Sequence, residues 1–178
     1  GTDPQTKIHE LWTELGLLEG RTFHYYDEFI RYEGADGRTF TLYTNIDRLE
    51  QHMLELAPDD RAVIAEFIKA SRQFTKMEMP VDLTPSEPLE ALELGQGMLP
   101  VLWPALWWRN VSVRQFAERF KDPLLRAALP DFFQFAPPDF PMMLLLTTIA
   151  LMNDHEAGYP IGGSLRLAED LARRYLAL

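Results

Sequence analysis

The hydrophobic pattern of this 178-residue chain changes from strand-like alternation to helical spacing near Thr44, and that change limits the folds open to it. Before it, Thr22 to Tyr32 and Arg38 to Thr44 alternate along the chain and are rich in aromatic residues, which is typical of strands. Glu33 to Gly37 holds two glycines and an aspartate, so these strands are predicted to form a hairpin with a longer loop. A short helix over Ile8 to Leu18 is predicted to precede them.

After the change, apolar side chains recur at helical spacing. Two helices are predicted to begin at capping boxes, Thr44 with Asp47 and Ser112 with Gln115. Further helices are predicted over Pro58 to Phe74, Leu89 to Leu94, Asp122 to Leu129 and Met142 to Met152. A last helix is predicted behind Ser164, with an inward stripe of Leu167, Ala168, Leu171, Ala172 and Tyr175. Met79 to Pro88 is predicted to be a loop because it holds three prolines. The predicted fold class is α+β and predominantly helical: an N-terminal β-hairpin, in a small antiparallel or mixed sheet, followed by about six to eight helices.

Composition excludes several classes of function. The net charge of −10, with 17 basic residues dispersed among 27 acidic ones, argues against a nucleic-acid partner. The absence of cysteine removes thiolate metal sites and cysteine nucleophiles, and it agrees with a cytoplasmic location. The four histidines lie far apart in the sequence, so no metal site is predicted. The longest apolar run, Met142 to Met152, is about half as long as a bilayer span and predicts a buried helix.

Motifs for phosphate binding and nucleophilic catalysis are absent from the sequence. Gly95-Gln96-Gly97 lacks the third glycine and the preceding strand of a dinucleotide fingerprint, so it is interpreted as a turn. The chain has neither a phosphate loop nor a Gly-x-Ser-x-Gly elbow. None of the 27 acidic residues is singled out as an acid or base, and the catalytic residues stay unknown.

Two proline-broken aromatic clusters have three interpretations. The first cluster comprises Trp103, Trp107 and Trp108, and the second comprises Phe132, Phe133, Phe135 and Phe140. The first interpretation is that they are core residues of a helical domain, and the second that they form the wall of a site for a long apolar ligand. The third is that they form a surface at a membrane interface. The second interpretation makes all of them except Phe140 candidate substrate-binding residues, together with the Met142 to Met152 helix. The third implies peripheral contact with a membrane.

Five patterns, in order along the chain, resemble the phytoene desaturase-like branch of the FAD-dependent amine-oxidase superfamily. They are Asp36-Gly37-x-x-Phe40-x-Leu42-Tyr43, Asp47-Arg48-Leu49-Glu50, Ala57-Pro58-Asp59-Asp60, Ser112-Val113-x-Gln115-Phe116 with Arg119-Phe120, and Gly158-Tyr159-Pro160-Ile161-Gly162-Gly163-Ser164. The resemblance implies that residues 1–178 are a single inserted substrate-binding (cap) domain, excised from a larger FAD-dependent protein. The start at Gly1 rather than methionine is typical of such an excision.

The resemblance also implies a function and a site. The complete protein would be an oxidoreductase in which FAD exchanges a hydride with a hydrophobic small-molecule substrate such as a polyene. In the family, the Pro-x-Gly-Gly loop lies at the edge of the substrate cavity near the flavin. The corresponding positions here are Tyr159, Pro160, Gly162, Gly163, Ser164 and Arg166.

The chain itself lacks the FAD fingerprint, so the missing FAD-binding domain is its expected partner. The isolated fragment is expected to hold no cofactor and to be inactive. A second hypothesis from another class stays open: a stand-alone helical binding or interaction module without enzymatic activity, whose aromatic clusters contact a protein or lipid.

Overall fold

The computed structural model describes residues 2, 4, 6–76, 95–96, 102–133, 137 and 139–177. The strands are β1 (Phe23–His24), β2 (Glu28–Glu33), β3 (Thr39–Tyr43) and β4 (Tyr159–Pro160). The helices are α1 (Lys7–Glu14), α2 (Ile46–Leu56), α3 (Arg61–Phe74), α4 (102–108), α5 (Val113–Ala117), α6 (Pro123–Asp131), α7 (Met142–Asn153) and α8 (Gly163–Leu176), with a 3-10 turn at Pro58–Asp60 before α3. The fold is α+β and predominantly helical, as predicted.

The predicted hairpin is present, but its first strand is shorter than predicted. Strands β2 and β3 pair antiparallel from Glu28 opposite Tyr43 to Glu33 opposite Thr39. The alternating pattern from Thr22 to Tyr32 does not form one strand, because the chain leaves extended pairing between His24 and Glu28. The segment before this break, β1, instead forms a second antiparallel sheet with β4.

Local capping explains where three helices begin. The Ser112–Gln115 capping box at α5 is confirmed, with each side chain bonded to the backbone of the other residue. Asp122 caps α6 by accepting from the backbone N–H groups of Leu124 and Leu125. The predicted cap of α2 is wrong: Asn45 accepts from the N–H of Arg48, while the Thr44 hydroxyl donates to the carbonyl of Tyr26 at 2.8 Å.

One hydrophobic core joins the hairpin to helices α2 to α7. It takes one face each of α2, α3, α5, α6 and α7, and Trp108 of α4. The sequence of α7, apolar on all faces except Thr147 and Thr148, predicts a central position; five of its twelve residues are buried, and Leu144 is 42% exposed. The largest side chains among the fully buried ones are Phe40, Phe67, Phe74, Phe116, Phe120, Leu42, Leu49, Met53, Ile64, Ile68, Leu125 and Leu129. Burial of these large side chains is the main source of stability for the fold.

A buried carboxylate ties two distant segments together. Asp60 is 2% exposed, and its two oxygens accept from the backbone N–H groups of Lys121 and Asp122 at 2.8 to 3.0 Å. Asp122 in turn pairs with Arg38 from the hairpin at 2.8 Å. The sequence predicts only that Asp59 and Asp60 favour the dipole of the following helix. In the structure Asp60 joins the start of α3 to the start of α6.

A neutral histidine fills the edge of the hairpin. His52 on α2 accepts the backbone N–H of Thr41 at Nε2, with a donor–acceptor distance of 3.0 Å, and its ring stacks parallel to Phe40. Burial is the main cause that lowers the pKa of His52, and Arg48 lowers it further while Glu55 opposes them. The acceptor role of Nε2 requires the uncharged ring, and partial burial favours it.

Acidification is expected to destabilise the fold through His52. Because the folded-state pKa is lowered, the unfolded chain binds the proton more tightly, so stability is complete above the unfolded value of 6.5 and falls as pH drops below it. The melting temperature measured from about pH 7.5 to about pH 5 should decline in the wild type, and decline less in His52→Gln, which accepts a hydrogen bond without titrating. His24→Gln on β1 is the control, and its melting temperature should fall with pH as steeply as that of the wild type. Equal slopes in all three proteins would contradict this role.

The two segments that flank the core pack mainly on each other. Strand β1 pairs with β4, and Leu17 is the one buried hydrophobic residue among the described parts of 2–27 and 154–177. Helix α8 has no buried residue, so its predicted inward stripe is not covered: Leu167 is half-buried, whereas Leu171 and Tyr175 are 38% and 76% exposed. An amphipathic helix in this state has an apolar face without a partner in the described chain.

Two predictions on the middle of the chain lie outside the described residues. These are the loop from Met79 to Pro88 and the helix from Leu89 to Leu94. Nearby, Gly95 and Gln96, predicted to be part of a turn, are helical. Within the described ranges, no helix combines the length and the apolar character needed to cross a membrane.

Candidate functional site

The loop predicted to border a cavity leaves the β1–β4 sheet and enters α8. Phe23 lies opposite Pro160 and His24 opposite Tyr159, and the N–H of Ile161 donates to the carbonyl of Thr22 at 2.9 Å. This pairing fixes the backbone on the approach to the glycines. The Tyr159 side chain is half-exposed and lies edge-on to Tyr26, with ring centroids 5.1 Å apart.

Both glycines of the loop have left-handed backbones. Gly162 has a φ of +97° and Gly163 a φ of +86°, values that strain any residue with a Cβ atom. A Cβ built on Gly163 would meet no atom within 4 Å, and one on Gly162 would meet only the Arg166 side chain, at 3.6 Å or more. Glycine is therefore required here by backbone conformation. The space in front of both residues is open.

The glycine pair also forms the start of α8, which corrects the predicted role of Ser164. Gly162 is the N-cap residue, the helix begins at Gly163, and no side chain caps it. Ser164 lies inside the first turn and is exposed, as is Arg166. The first backbone N–H groups of α8 thus lack a side-chain acceptor, and a cation lies on the same turn.

Ion pairs hold α8 against the segment that follows α1. Asp170 pairs with Arg21, whose side chain is 9% exposed, and Glu19 pairs with Arg174 at 2.7 Å. Because Arg21 is largely buried, its pair with Asp170 fixes the rotation of α8 more firmly than the exposed pair does. The face opposite these pairs is exposed, including Leu165 at 71% and Tyr175 at 76%.

The aromatic candidates separate into a surface group and a core group. Trp103 and Trp107 are 78% and 71% exposed, whereas Trp108 is buried edge-on against Phe116. Phe132 is buried against Phe40, and Phe133 is half-buried and lies tilted against Phe140 with centroids 4.4 Å apart. Phe135 lies outside the described residues. The ring contacts of these residues are with the core, and none involves Tyr159.

The described residues also include a depression that lies away from the loop. A shallow depression on α2 is lined by Asp47, Glu50, Gln51, Leu54 and Glu55, and it contains none of the predicted site residues. No cluster of histidine and carboxylate side chains suited to a metal ion occurs within the described ranges. The loop and α8 stay the candidate site, with open space in front of both glycines.

Comparison with known proteins gave no match: no family model, curated protein or solved structure matched the chain. The resemblance to flavoenzymes accordingly depends on the five sequence patterns alone. Sequence reasoning missed the exposed apolar residues beside the loop, Tyr26, Ile161 and Leu165. The adjacent aromatic pair Tyr25-Tyr26 was visible, but nothing local indicates that β1, the strand directly before it, pairs with residue 159.

Proposed function

We propose that this chain is the substrate-binding domain of a flavin-dependent oxidoreductase that acts on an apolar substrate, and that residues 159–166 form one edge of the substrate site. The observation that carries the proposal is the open Gly162-Gly163 turn, fixed by a strand pair and continued by a helix without a buried residue. Such a backbone can approach a planar ligand closely because no side chain stands in front of it.

The path of the chain supports the idea of an inserted domain. The segments on either side of the helical core meet as the antiparallel pair β1–β4, so the chain enters and leaves the core side by side. Insertion of one domain into another requires this proximity, because the host domain must continue where it was interrupted. Helix α8 then lies at the junction, where its exposed apolar face would contact the FAD-binding domain.

FAD would supply the chemistry, and this chain would supply part of its surroundings. The sequence has no dinucleotide fingerprint, so the residues present do not form a phosphate site for FAD. What they offer is a close approach at Gly162 and Gly163, free N–H groups at the start of α8, and the guanidinium of Arg166. The exposed loop would complete the site by covering the substrate and excluding water.

Flavin content of the natural gene product that contains this segment tests the proposal directly. We expect purified protein to show flavin absorbance, and anaerobic addition of phytoene dissolved in detergent to bleach it. Colourless protein that does not take up added FAD would overturn the proposal. The 178-residue chain alone, mixed with FAD, serves as the negative control because it lacks the fingerprint.

Alanine at the glycine pair is expected to impair the flavin site beyond its effect on folding. Gly162→Ala or Gly163→Ala in the flavin-containing protein should weaken FAD binding about tenfold, because the loop must relax from its left-handed backbone. Gly37→Ala in the hairpin loop is the matched control, since its φ of +79° and open surroundings impose the same strain elsewhere. Fluorescence titration with FAD measures the difference. Equal losses of FAD affinity in all three variants would mean that the loop has only a structural role.

The exposed face of α8 also favours a second candidate, a stand-alone interaction module. Leu165, Tyr175 and Leu176 are each more than two-thirds exposed, which is unusual for large apolar residues on one helix. In this case the natural gene product would be colourless, and it would bind a protein partner through α8. The same absorbance measurement therefore distinguishes the two candidates.

A further inference from the structure

Helix α4 presents an apolar face to solvent, on the side opposite the buried Trp108. Trp103 and Trp107 are one turn apart, as are Leu102 and Leu106, so the four side chains form one continuous patch. They are 78%, 71%, 43% and 41% exposed, in that order. We call these four residues the α4 patch. Exposure of two tryptophans on a single short helix is a strong sign of a binding surface.

The patch is displayed on a fixed platform. Trp108, at the end of α4, is buried against Phe116 with ring centroids 5.5 Å apart. Directly after it, the N–H of Met142 donates to the carbonyl of Val111 at 2.8 Å, and the N–H of Val113 donates to the carbonyl of Phe140 at 2.9 Å. The core therefore fixes the orientation of α4, and the two exposed tryptophans cannot fold inward without displacing it.

The sequence segment that contains the patch differs sharply in charge from the rest of the chain. The sequence from 94 to 117 contains no aspartate or glutamate, although the chain as a whole has 27. The charged residues of this stretch are Arg109 and Arg114, and both are exposed. A chain of net charge −10 thus places its most exposed aromatic surface in a cationic segment.

We propose that the α4 patch docks on the surface of an anionic phospholipid bilayer. Tryptophan is favoured at the membrane–water interface because its ring is apolar and its indole N–H stays hydrated, and leucine adds apolar area beneath the headgroups. Arg109 and Arg114 would contact the phosphate groups at the edge of the patch. At physiological salt, charges interact over about 8 Å, so Arg109, which follows the patch in sequence, acts on the bilayer more strongly than acidic residues beyond that distance.

Vesicle binding by the 178-residue chain tests the proposal. We expect co-sedimentation with vesicles of phosphatidylcholine and phosphatidylglycerol, and weaker binding to phosphatidylcholine alone. Trp103→Ala with Trp107→Ala should reduce the affinity by about a hundredfold, about tenfold for each ring. Arg109→Gln with Arg114→Gln should reduce it by roughly twentyfold on anionic vesicles and leave binding to phosphatidylcholine unchanged.

Tyr175→Ala is the matched control, because Tyr175 is 76% exposed on α8, away from the patch in sequence. It should bind vesicles as the wild type does, and the melting temperatures of all variants should stay close to the wild-type value. Absence of vesicle binding by the wild type would overturn the proposal. The proposal would also be overturned if the tryptophan variant bound vesicles with the wild-type affinity. A wild-type dimer that the tryptophan variant abolishes would overturn it too, since the patch would then bind a protein. These results do not depend on flavin, so they leave the proposed function to its own test.

Discussion

Replacing Asp60 with alanine is expected to lower the free energy of unfolding by about 3 to 5 kcal/mol. The carboxylate is 2% exposed and is the acceptor for the backbone N–H groups of both Lys121 and Asp122. Alanine would leave these partly buried donors without their acceptor, and each unsatisfied donor is costly. The start of α6, which Asp122 caps, would lose its connection to α3.

Two further variants separate this effect from a general effect of charge. Asp59→Ala removes the neighbouring exposed carboxylate and should change the free energy of unfolding by less than about 0.5 kcal/mol. Asp60→Asn keeps one oxygen acceptor and should lose about 1 to 3 kcal/mol. Urea unfolding monitored by circular dichroism measures all three. If Asp59→Ala and Asp60→Ala were equally mild, the bonds from Asp60 would have no role in stability.

The helices could be predicted from the sequence because the information that specifies them is local. The spacing of Val113, Phe116 and Ala117, with the Ser112 cap one residue before, is sufficient to identify both the helix and its inward face. The role of Asp60 could not be predicted in this way. Its partners lie 61 and 62 positions along the chain, so the bond depends on how α3 and α6 pack.

The candidate site shows the same limit. A turn at Gly162-Gly163 is visible in the sequence, but the pairing of Tyr159 with His24 joins two-residue strands from opposite ends of the chain. Periodicity places the apolar side chains of α8 on one face, and it predicts that this face is buried. The structure leaves it exposed, because whether a face finds a partner depends on other parts of the molecule or on other molecules.

The tryptophans illustrate how packing separates adjacent residues. Trp107 is 71% exposed and Trp108 is 5% exposed, although both belong to one cluster in the sequence. Consecutive residues on a helix differ by about 100° in direction, so one can point to the core while the other points to solvent. The sequence shows that Trp103 and Trp107 share a face. Only the position of Phe116 decides that Trp108 is the one that is buried.

Truncation of Phe116 to alanine is expected to lower the free energy of unfolding by about 3 to 5 kcal/mol, the range for a fully buried aromatic residue. Phe116 is 0% exposed and lies where three aromatic side chains meet: Phe67 at 5.9 Å, Trp108 at 5.5 Å and Phe120 at 5.8 Å between ring centroids. Alanine would leave a cavity that these rings cannot fill without leaving their own positions. Chemical denaturation with Phe116→Leu as a smaller truncation measures the size of the effect.

The same substitution connects the core to the α4 patch. Without Phe116, Trp108 loses its edge-on contact and α4 loses the anchor that orients Trp103 and Trp107. We therefore expect Phe116→Ala to raise the exposure of Trp108, seen as a red shift of tryptophan emission under conditions where the protein is still folded. Trp107→Ala is the control from the same helix. Because the Trp107 ring is 71% exposed, this substitution should lower the free energy of unfolding by less than about 0.5 kcal/mol. A loss as large as that of Phe116→Ala would mean that Trp107 packs against the core in solution.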